Sequence, residues 1–198
     1  MPSGVLKTPR VIAALETIDR ADFVPAELQL QAYLNKPLPI GFGQTVSQPW
    51  TVAFMLEKLQ PAAGQKILDI GSGSGWQTAL LARIVGNQGK VIGLELIPKL
   101  HQQSVRNIAR YNFISRRITE LHCLNGAKGF PSEAPFDRII SAASIPDIPP
   151  AWLEQLAVGG RLVVPVDSTI VVMEKLAPDR FQTQTFPGFA FVPFVLEE

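Results

Sequence analysis

Three glycines set two apart, Gly71, Gly73 and Gly75, follow the apolar run Lys66-Ile-Leu-Asp-Ile and precede Trp76-Gln-Thr-Ala-Leu-Leu-Ala. Read as a buried strand, a tight turn and a helix start, the segment removes side chains where a ligand must approach the backbone. It also offers that ligand the unpaired amides of a helix N-terminus. Asp69 stands two residues ahead of the first glycine, and Glu95 ends the next apolar run, Val91-Ile-Gly-Leu-Glu. A carboxylate in that place takes both hydroxyls of a ribose. The expected ligand is an adenosyl amino acid or a dinucleotide. A turn needed only for packing is the plain alternative, and Asp69 by itself also reads as a partner of the helix dipole.

Such residues need a scaffold, and the surrounding pattern supplies one. Apolar runs at Lys66 to Ile70, Lys90 to Leu94, Phe136 to Ala142 and Arg161 to Val166 alternate with helical patterns at Trp76 to Val85, Lys99 to Ala109 and Pro150 to Leu156. Runs that are apolar throughout suit strands covered on both faces, so the fold class is α/β, a Rossmann-like doubly wound, mostly parallel sheet. Thr169 to Leu176 and Phe189 to Leu196 have no helix between them and read as an antiparallel C-terminal hairpin. At the other end, Val11, Ile12, Leu15 and Ile18 predict an N-terminal helix from Thr8 to Phe23. An irregular, proline- and glycine-broken stretch then runs to Pro49, where a second helix extends to Leu59. One domain over 1–198 is expected: an N-terminal helix and loop over 1–50, a cofactor-binding core over 51–166 and the hairpin over 167–198.

Composition narrows the partners. Lys and Arg total 18 against 17 Asp and Glu among 198 residues, so bulk charge gives no case for nucleic acid or an anionic membrane. Cys123 is the single cysteine, which forbids an intrachain disulfide, and no His/Cys cluster has zinc-ligand spacing. The N-terminal residues show neither a signal-peptide core nor a membrane span, so a cytoplasmic protein is expected; a monomer with no metal is the accompanying expectation. His101 and His122 read as solvated or packing residues.

The glycine spacing is G-x-G-x-G and departs from the dinucleotide fingerprint G-x-G-x-x-G. In this it resembles class I S-adenosylmethionine methyltransferases. Ser141-Ala-Ala-Ser-Ile-Pro stands where base amino-methylating enzymes carry an Asp/Asn-Pro-Pro-aromatic motif, which argues against a nucleic-acid base as acceptor. A carboxylate acceptor is already ionised at neutral pH and needs alignment more than a base.

Pro37-Leu-Pro-Ile-Gly-Phe-Gly-Gln-Thr-Val-Ser-Gln-Pro-Trp closely resembles the substrate loop of protein-L-isoaspartate (D-aspartate) O-methyltransferases. Arg20-Ala-Asp-Phe-Val-Pro, Ala134-Pro-Phe-Asp-Arg-Ile-Ile-Ser-Ala-Ala, Gln155-Leu-Ala-Val-Gly-Gly-Arg-Leu-Val-Val-Pro-Val and Phe191-Val-Pro-Phe carry the resemblance over nearly the whole chain. It implies methyl transfer from S-adenosyl-L-methionine to isoaspartyl residues in damaged proteins and peptides, which then return toward aspartyl linkage through a succinimide. It also implies Ser47 at the reaction centre, flanked by Thr45 and Gln48. The expected cofactor contacts are Thr45, Val46, Asp69, Gly71, Ser72, Gly73, Gly75, Glu95, Asn125 and Gly126. Taken alone, Ser47 also reads as the cap of the helix beginning near Pro49.

The chain departs from the family pattern at Leu124-Asn-Gly, where Gly-Asp-Gly is usual, and at Asp167, where a glycine is usual. Asn125 accepts from an adenine amino group through its amide oxygen, without charge. Asn125, with Thr169-Ile-Val-Val where a glutamine is usual beyond Asp167, motivates one alternative, an S-adenosylmethionine-binding relative that transfers nothing and serves as an interaction or sensing module; a class I methyltransferase for a small carboxylic acid is another.

Overall fold

The computed structural model describes residues 4–195. Helix α1 (Pro9–Thr17) begins with proline, which gives up no hydrogen bond at that position. The helix expected to reach Phe23 stops early. Ile18 is extended, and the Asp19 carboxylate accepts from the Ala21 amide to open a separate 3-10 turn over Arg20–Phe23. A side chain that captures a backbone amide in this way competes with the helix ladder.

The irregular stretch has more order than its prolines and glycines suggest. Strand β1 (Leu38–Gly41) pairs antiparallel with β2 (Gln44–Val46), and the corner between them passes through Phe42 and Gly43, both at positive φ. Helix α2 (Pro49–Leu59) follows, burying Val52, Met55, Leu56 and Leu59, and ends with Gln60 in the left-handed region.

The core is built from β3 (Lys66–Ile70), α3 (Trp76–Val85), β4 (Lys90–Glu95), α4 (Pro98–Ala109), β5 (Thr119–Cys123), β6 (Phe136–Ser141), α5 (Pro150–Gln155) and β7 (Leu156–Val166). Strands β8 (Thr169–Ala177) and β9 (Arg180–Pro187) complete a seven-stranded sheet of order β5-β4-β3-β6-β7-β8-β9. The first five strands in that order are parallel, and β8 and β9 are antiparallel additions. Alternation sorts the apolar side chains to the two faces. Ile67, Val91 and Val163 join the layer of α1 to α4, while Leu68, Ile92 and Val164 pack on the face holding Trp152 of α5. Covering on both faces is why these strands read as continuous apolar runs.

The C-terminal hairpin exists, but its second strand is Arg180–Pro187 and not Phe189 to Leu196. Arg180 to Pro187 lies at a sheet edge with Gln-Thr-Gln-Thr between Phe181 and Phe186 and carries little apolar signal, whereas the aromatic tail that follows has no sheet partner of its own length. That tail instead lies along the loop after β6, with Phe194 N donating to Ser144 O and Ser144 N to Val192 O. Leu196 lies outside the described residues. No helix among the described residues is long and apolar enough to cross a membrane.

Candidate active site

Strand order reverses between β4 and β6, on either side of β3, and open α/β sheets bind ligands outside the carboxyl ends of the strands at such a point. The glycine turn sits there. Gly71 and Gly73 take positive φ (77° and 55°), and the amides of Gly71 and Ser72 both donate to Leu94 O, at 2.8 and 2.9 Å. Glu95 is the strut of the turn: Oε2 accepts from Gly73 N at 2.8 Å and Oε1 from Ile97 N at 2.9 Å. One carboxylate thereby ties the glycine turn to the start of α4 and remains in the crevice wall. A Cβ on Gly73 would meet Ile40 Cδ1 at 3.2 Å, so the β1–β2 hairpin lies directly over the turn.

Two expected contacts stand elsewhere. Asp69 is fully buried, with Oδ1 accepting from Gln77 Nε2 at 2.8 Å and Oδ2 from the Thr78 hydroxyl at 2.6 Å. It braces the first turn of α3 from behind and does not line the crevice. Burial pushes its pKa up to about 6 against the two hydrogen bonds that favour the ionised form. Its position follows from strand parity, since residue 69 shares with Ile67 the face covered by α1 to α4. Gly75, at φ 95°, packs against α4: a Cβ there would lie 2.9 Å from Ile108 Cδ1 and 3.2 Å from Ser104 Cβ. Its role is close approach of two helices.

The crevice has two parts. One is lined by Gly71, Glu95, Leu124, Asn125, Gly126 and the tail residues Val192 to Val195. The other is smaller and lies under Thr45, Val46 and Ser47, against Ser72, Ser74, Trp76 and Gln77. Four side-chain atoms around the smaller part are buried and have no hydrogen-bond partner: Ser72 Oγ, Ser74 Oγ, Trp76 Nε1 and Gln77 Oε1. Orphaned polar atoms at this density call for a ligand that supplies partners. Three of them can donate and Gln77 Oε1 accepts, the complement of a carboxylate beside an ammonium. The donor and acceptor set of this lining suits an adenosyl amino acid. Ser74, Trp76 and Gln77 were absent from the contacts expected from sequence, although all three fall inside the turn and first helical turn. Trp76 and Gln77 sit where helix periodicity assigns core.

Asn125 lines the larger part, but both ends of its amide are engaged. Its Oδ1 accepts from Ala127 N at 2.9 Å and its Nδ2 donates to Val195 O at 3.2 Å. Gly126 is held close by Trp152, whose Nε1 donates to its carbonyl at 2.9 Å, and a Cβ there would clash with Ile70.

A separate cleft of about 480 Å³ opens beside the crevice, lined by Ser47, Gln48, Trp50, Thr51 and the tail from Gly188 to Val192. Thr45 and Ala142 belong to the walls of the crevice and of the cleft. Ser47 lines both the cleft and the smaller part of the crevice. Gln48 holds the cap position of α2 and no side chain caps that helix, which sets aside the capping role for Ser47.

Behind the loop lies Arg20, fully buried. Its guanidinium donates to the carbonyl of Ala32, to Lys36 O and Val46 O at 3.2 Å each, and to Ser47 O at 2.9 Å, and it lies 5.2 Å over the Trp76 ring. Burial lowers its pKa to about 10, so it stays charged at neutral pH. Sequence gives little warning of this, because an Arg on a helical pattern reads as solvated.

The family model described as Protein-L-isoaspartate(D-aspartate) O-methyltransferase (PCMT) matches residues 1–198. The chain is 39% identical over 199 residues to the protein-L-isoaspartate O-methyltransferase of Methanopyrus kandleri, covering 98% of this chain and 87% of that one. It is 40% identical over 193 residues to the protein of the same name from Anaeromyxobacter dehalogenans, covering 95% and 90%. Its fold matches a Plasmodium falciparum protein solved in complex with S-adenosyl-L-homocysteine, with a TM-score of 0.88 at 23% identity over 98% of this chain and 94% of that one. A match along the whole chain, with relatives at this level of identity, leaves one assignment: the chain belongs to the protein-L-isoaspartate (D-aspartate) O-methyltransferase family.

Proposed function

We propose that this protein transfers a methyl group from S-adenosylmethionine to the free carboxylate of L-isoaspartyl residues in damaged proteins and peptides. The single observation that carries the proposal is the shared wall at Thr45 and Ala142, where the crevice suited to an adenosyl amino acid meets a cleft open to a polypeptide. When bound, S-adenosylmethionine supplies a methyl group already activated by the sulfonium. The chain's task is then to bring a carboxylate oxygen to that wall in line and to keep water away.

An isoaspartyl carboxylate is ionised at neutral pH, so no general base is required. The Ser47 hydroxyl donates to one carboxylate oxygen and leaves the other free to attack. Arg20 fixes the main chain on both sides of the Val46–Ser47 link, which limits where that hydroxyl stands. Holding two reactants in a productive geometry supplies several kcal/mol of barrier reduction, about 7 in favourable cases. Trp50, Phe189 and Phe191 form a stacked aromatic wall along the cleft that excludes water, with ring centroids at 5.8 and 6.3 Å. The methyl ester makes the carbonyl a better target for the following backbone amide: its nitrogen bonds to the ester carbonyl carbon, the C–OCH3 bond breaks, and methanol leaves with the amide proton, so closure to a succinimide follows without further catalytic groups.

Glu95 and the orphaned polar atoms of the smaller pocket are the proposed cofactor holders, together with Thr45, Val46, Gly71, Ser72, Gly73, Asn125 and Gly126. The near balance of charge supports protein acceptors over nucleic acid, and a cytoplasmic monomer belongs to the same proposal. The experiment is methyl incorporation from labelled S-adenosylmethionine into an isoaspartyl peptide beside its aspartyl twin. Transfer to the first alone supports the proposal, and transfer to neither sinks it.

A further inference from the structure

A second groove, of about 440 Å³, runs beside the cleft between the outer face of α2 and the sheet face of β7 to β9. Trp50 belongs to both, its ring stacked on Phe54 on one side and on Phe189 on the other, so it forms the ridge between them. One wall is Phe54, Glu57 and Lys58 of α2. The facing wall is Val172 and Glu174 of β8 with their cross-strand partners Gln184 and Gln182 of β9. Strand β9 ends the sheet order, so the groove opens along a free strand edge.

The charges lining this groove are unequal in what they have left to offer. Glu57 is taken up by Lys7 N, Thr8 N and the Thr8 hydroxyl, at 2.7 to 2.8 Å. Glu174 is paired with Arg161 at 2.7 Å. Lys58 and Lys7 form no salt bridge among the described residues, and Lys58 Nζ rests over the rings of Phe186 and Phe54, at 4.1 and 5.3 Å. Gln182 and Gln184 are exposed. The groove therefore offers an aromatic floor, carboxamides able to pair with a peptide backbone, and free positive charge.

We propose that this groove is a subsite for the polypeptide flanking the isoaspartyl residue, and that it favours a flank carrying an acidic side chain opposite Lys58. The inference rests on the proposed function, because it takes the neighbouring cleft as the place of the isoaspartyl residue. An extended chain advances about 3.3 Å per residue, so a few residues past the Trp50 ridge reach the groove. Continuity through Trp50 is what selects the substrate's own chain as occupant over an unrelated partner. Repair of unrelated proteins is compatible with such a subsite, since backbone and single-charge contacts tolerate most sequences.

The test uses five isoaspartyl peptides: a short one, and four extended by several residues on one side or the other, each extension made once with Glu and once with Lys at matched places. Expected is a KM at least fivefold lower for one Glu-bearing extended peptide than for the short peptide or its Lys twin, with similar kcat. In Lys58→Glu that preference disappears or inverts. Equal KM values across the set overturn the subsite, as does a Lys58→Glu effect that shifts every peptide alike. If Lys58→Glu alters sedimentation and leaves peptide preference intact, the groove is an interface between copies, and the proposal fails. Calorimetric binding of the same peptides in the presence of S-adenosylhomocysteine separates the two claims. Absence of methyl transfer to any peptide contradicts the proposed function, while absence of a flank preference in binding contradicts the groove alone.

Discussion

Arg20 donates through Nη2 to the carbonyl oxygen of Ser47 at 2.9 Å, so the proposed reaction centre is held from behind by a fully buried cation. The same nitrogen also reaches Lys36 O and Val46 O, and Nη1 reaches Ala32 O. Four carbonyls distant in sequence converge on one planar donor set, which a lysine cannot match. Arg20 thus closes the loop from Ala32 to Ser47 and stacks over Trp76 in the cofactor crevice wall.

Replacing Arg20 by Lys keeps the charge and loses the fork. The expected cost to stability is about 2 to 4 kcal/mol, from buried carbonyls left without donors. Chemical denaturation measures it. Turnover on an isoaspartyl peptide should fall at least about tenfold, the equivalent of 1.4 kcal/mol in the barrier, with a smaller change in S-adenosylhomocysteine affinity. Unchanged stability and turnover would show that the loop is held by other contacts.

Ser47→Ala removes one hydroxyl from the meeting point of crevice and cleft. Since it makes no capping bond in α2, stability should move by less than about 0.5 kcal/mol, as for a surface change. The kcat should drop by about 10 to 100-fold, consistent with loss of a hydrogen bond to a charged group at about 1.5 to 3 kcal/mol. Equal turnover in the variant removes Ser47 from the reaction centre.

Glu95→Ala takes away the acceptor of Gly73 N and Ile97 N together with the proposed ribose ligand. Affinity for S-adenosylhomocysteine should weaken by about 1 to 3 kcal/mol. Calorimetry reads it directly, and an unchanged dissociation constant means that the ribose lies elsewhere.

Asp69 gives the fold a pH signature. Its folded pKa is raised from 3.8 to about 6 by burial, so the folded state binds its proton more tightly than the unfolded chain. That contribution is complete below about pH 4 and is lost as pH rises through about 6, on the order of 3 kcal/mol in all. The stability of wild type relative to Asp69→Asn should therefore decline between pH 4 and 7 and level off above. A difference that is flat across this range contradicts the raised pKa.

Legibility in the sequence followed physical simplicity. Strands β3, β4, β6 and β7 were readable because strands covered on both faces carry apolar runs, whereas the parallel edge strand β5, Thr-Glu-Leu-His-Cys, carries none; Gly71, Gly73 and Glu95 were readable because a turn and an acid at a strand end leave a local pattern. Asp69 was misplaced because the pattern gives its spacing from Gly71 but not which face of β3 it occupies. The end of α1 was missed because Asp19 competes for the Ala21 amide, a single side-chain bond that periodicity does not register. The second strand of the hairpin was drawn too late because edge strand Arg180–Pro187 is mostly polar and exposed. Arg20 and the orphaned atoms of Ser74, Trp76 and Gln77 acquire meaning only once the β1–β2 hairpin is folded over the glycine turn, a contact across many residues.

The central claim, that the chain carries a methyl group to an isoaspartyl carboxylate, is tested most directly by label transfer from S-adenosylmethionine to paired peptides differing only in one linkage. The expected result is incorporation into the isoaspartyl peptide, release of that label as the ester closes to a succinimide, and no incorporation into the aspartyl twin. Equal labelling of both peptides, or none in either while S-adenosylhomocysteine still binds, would contradict it.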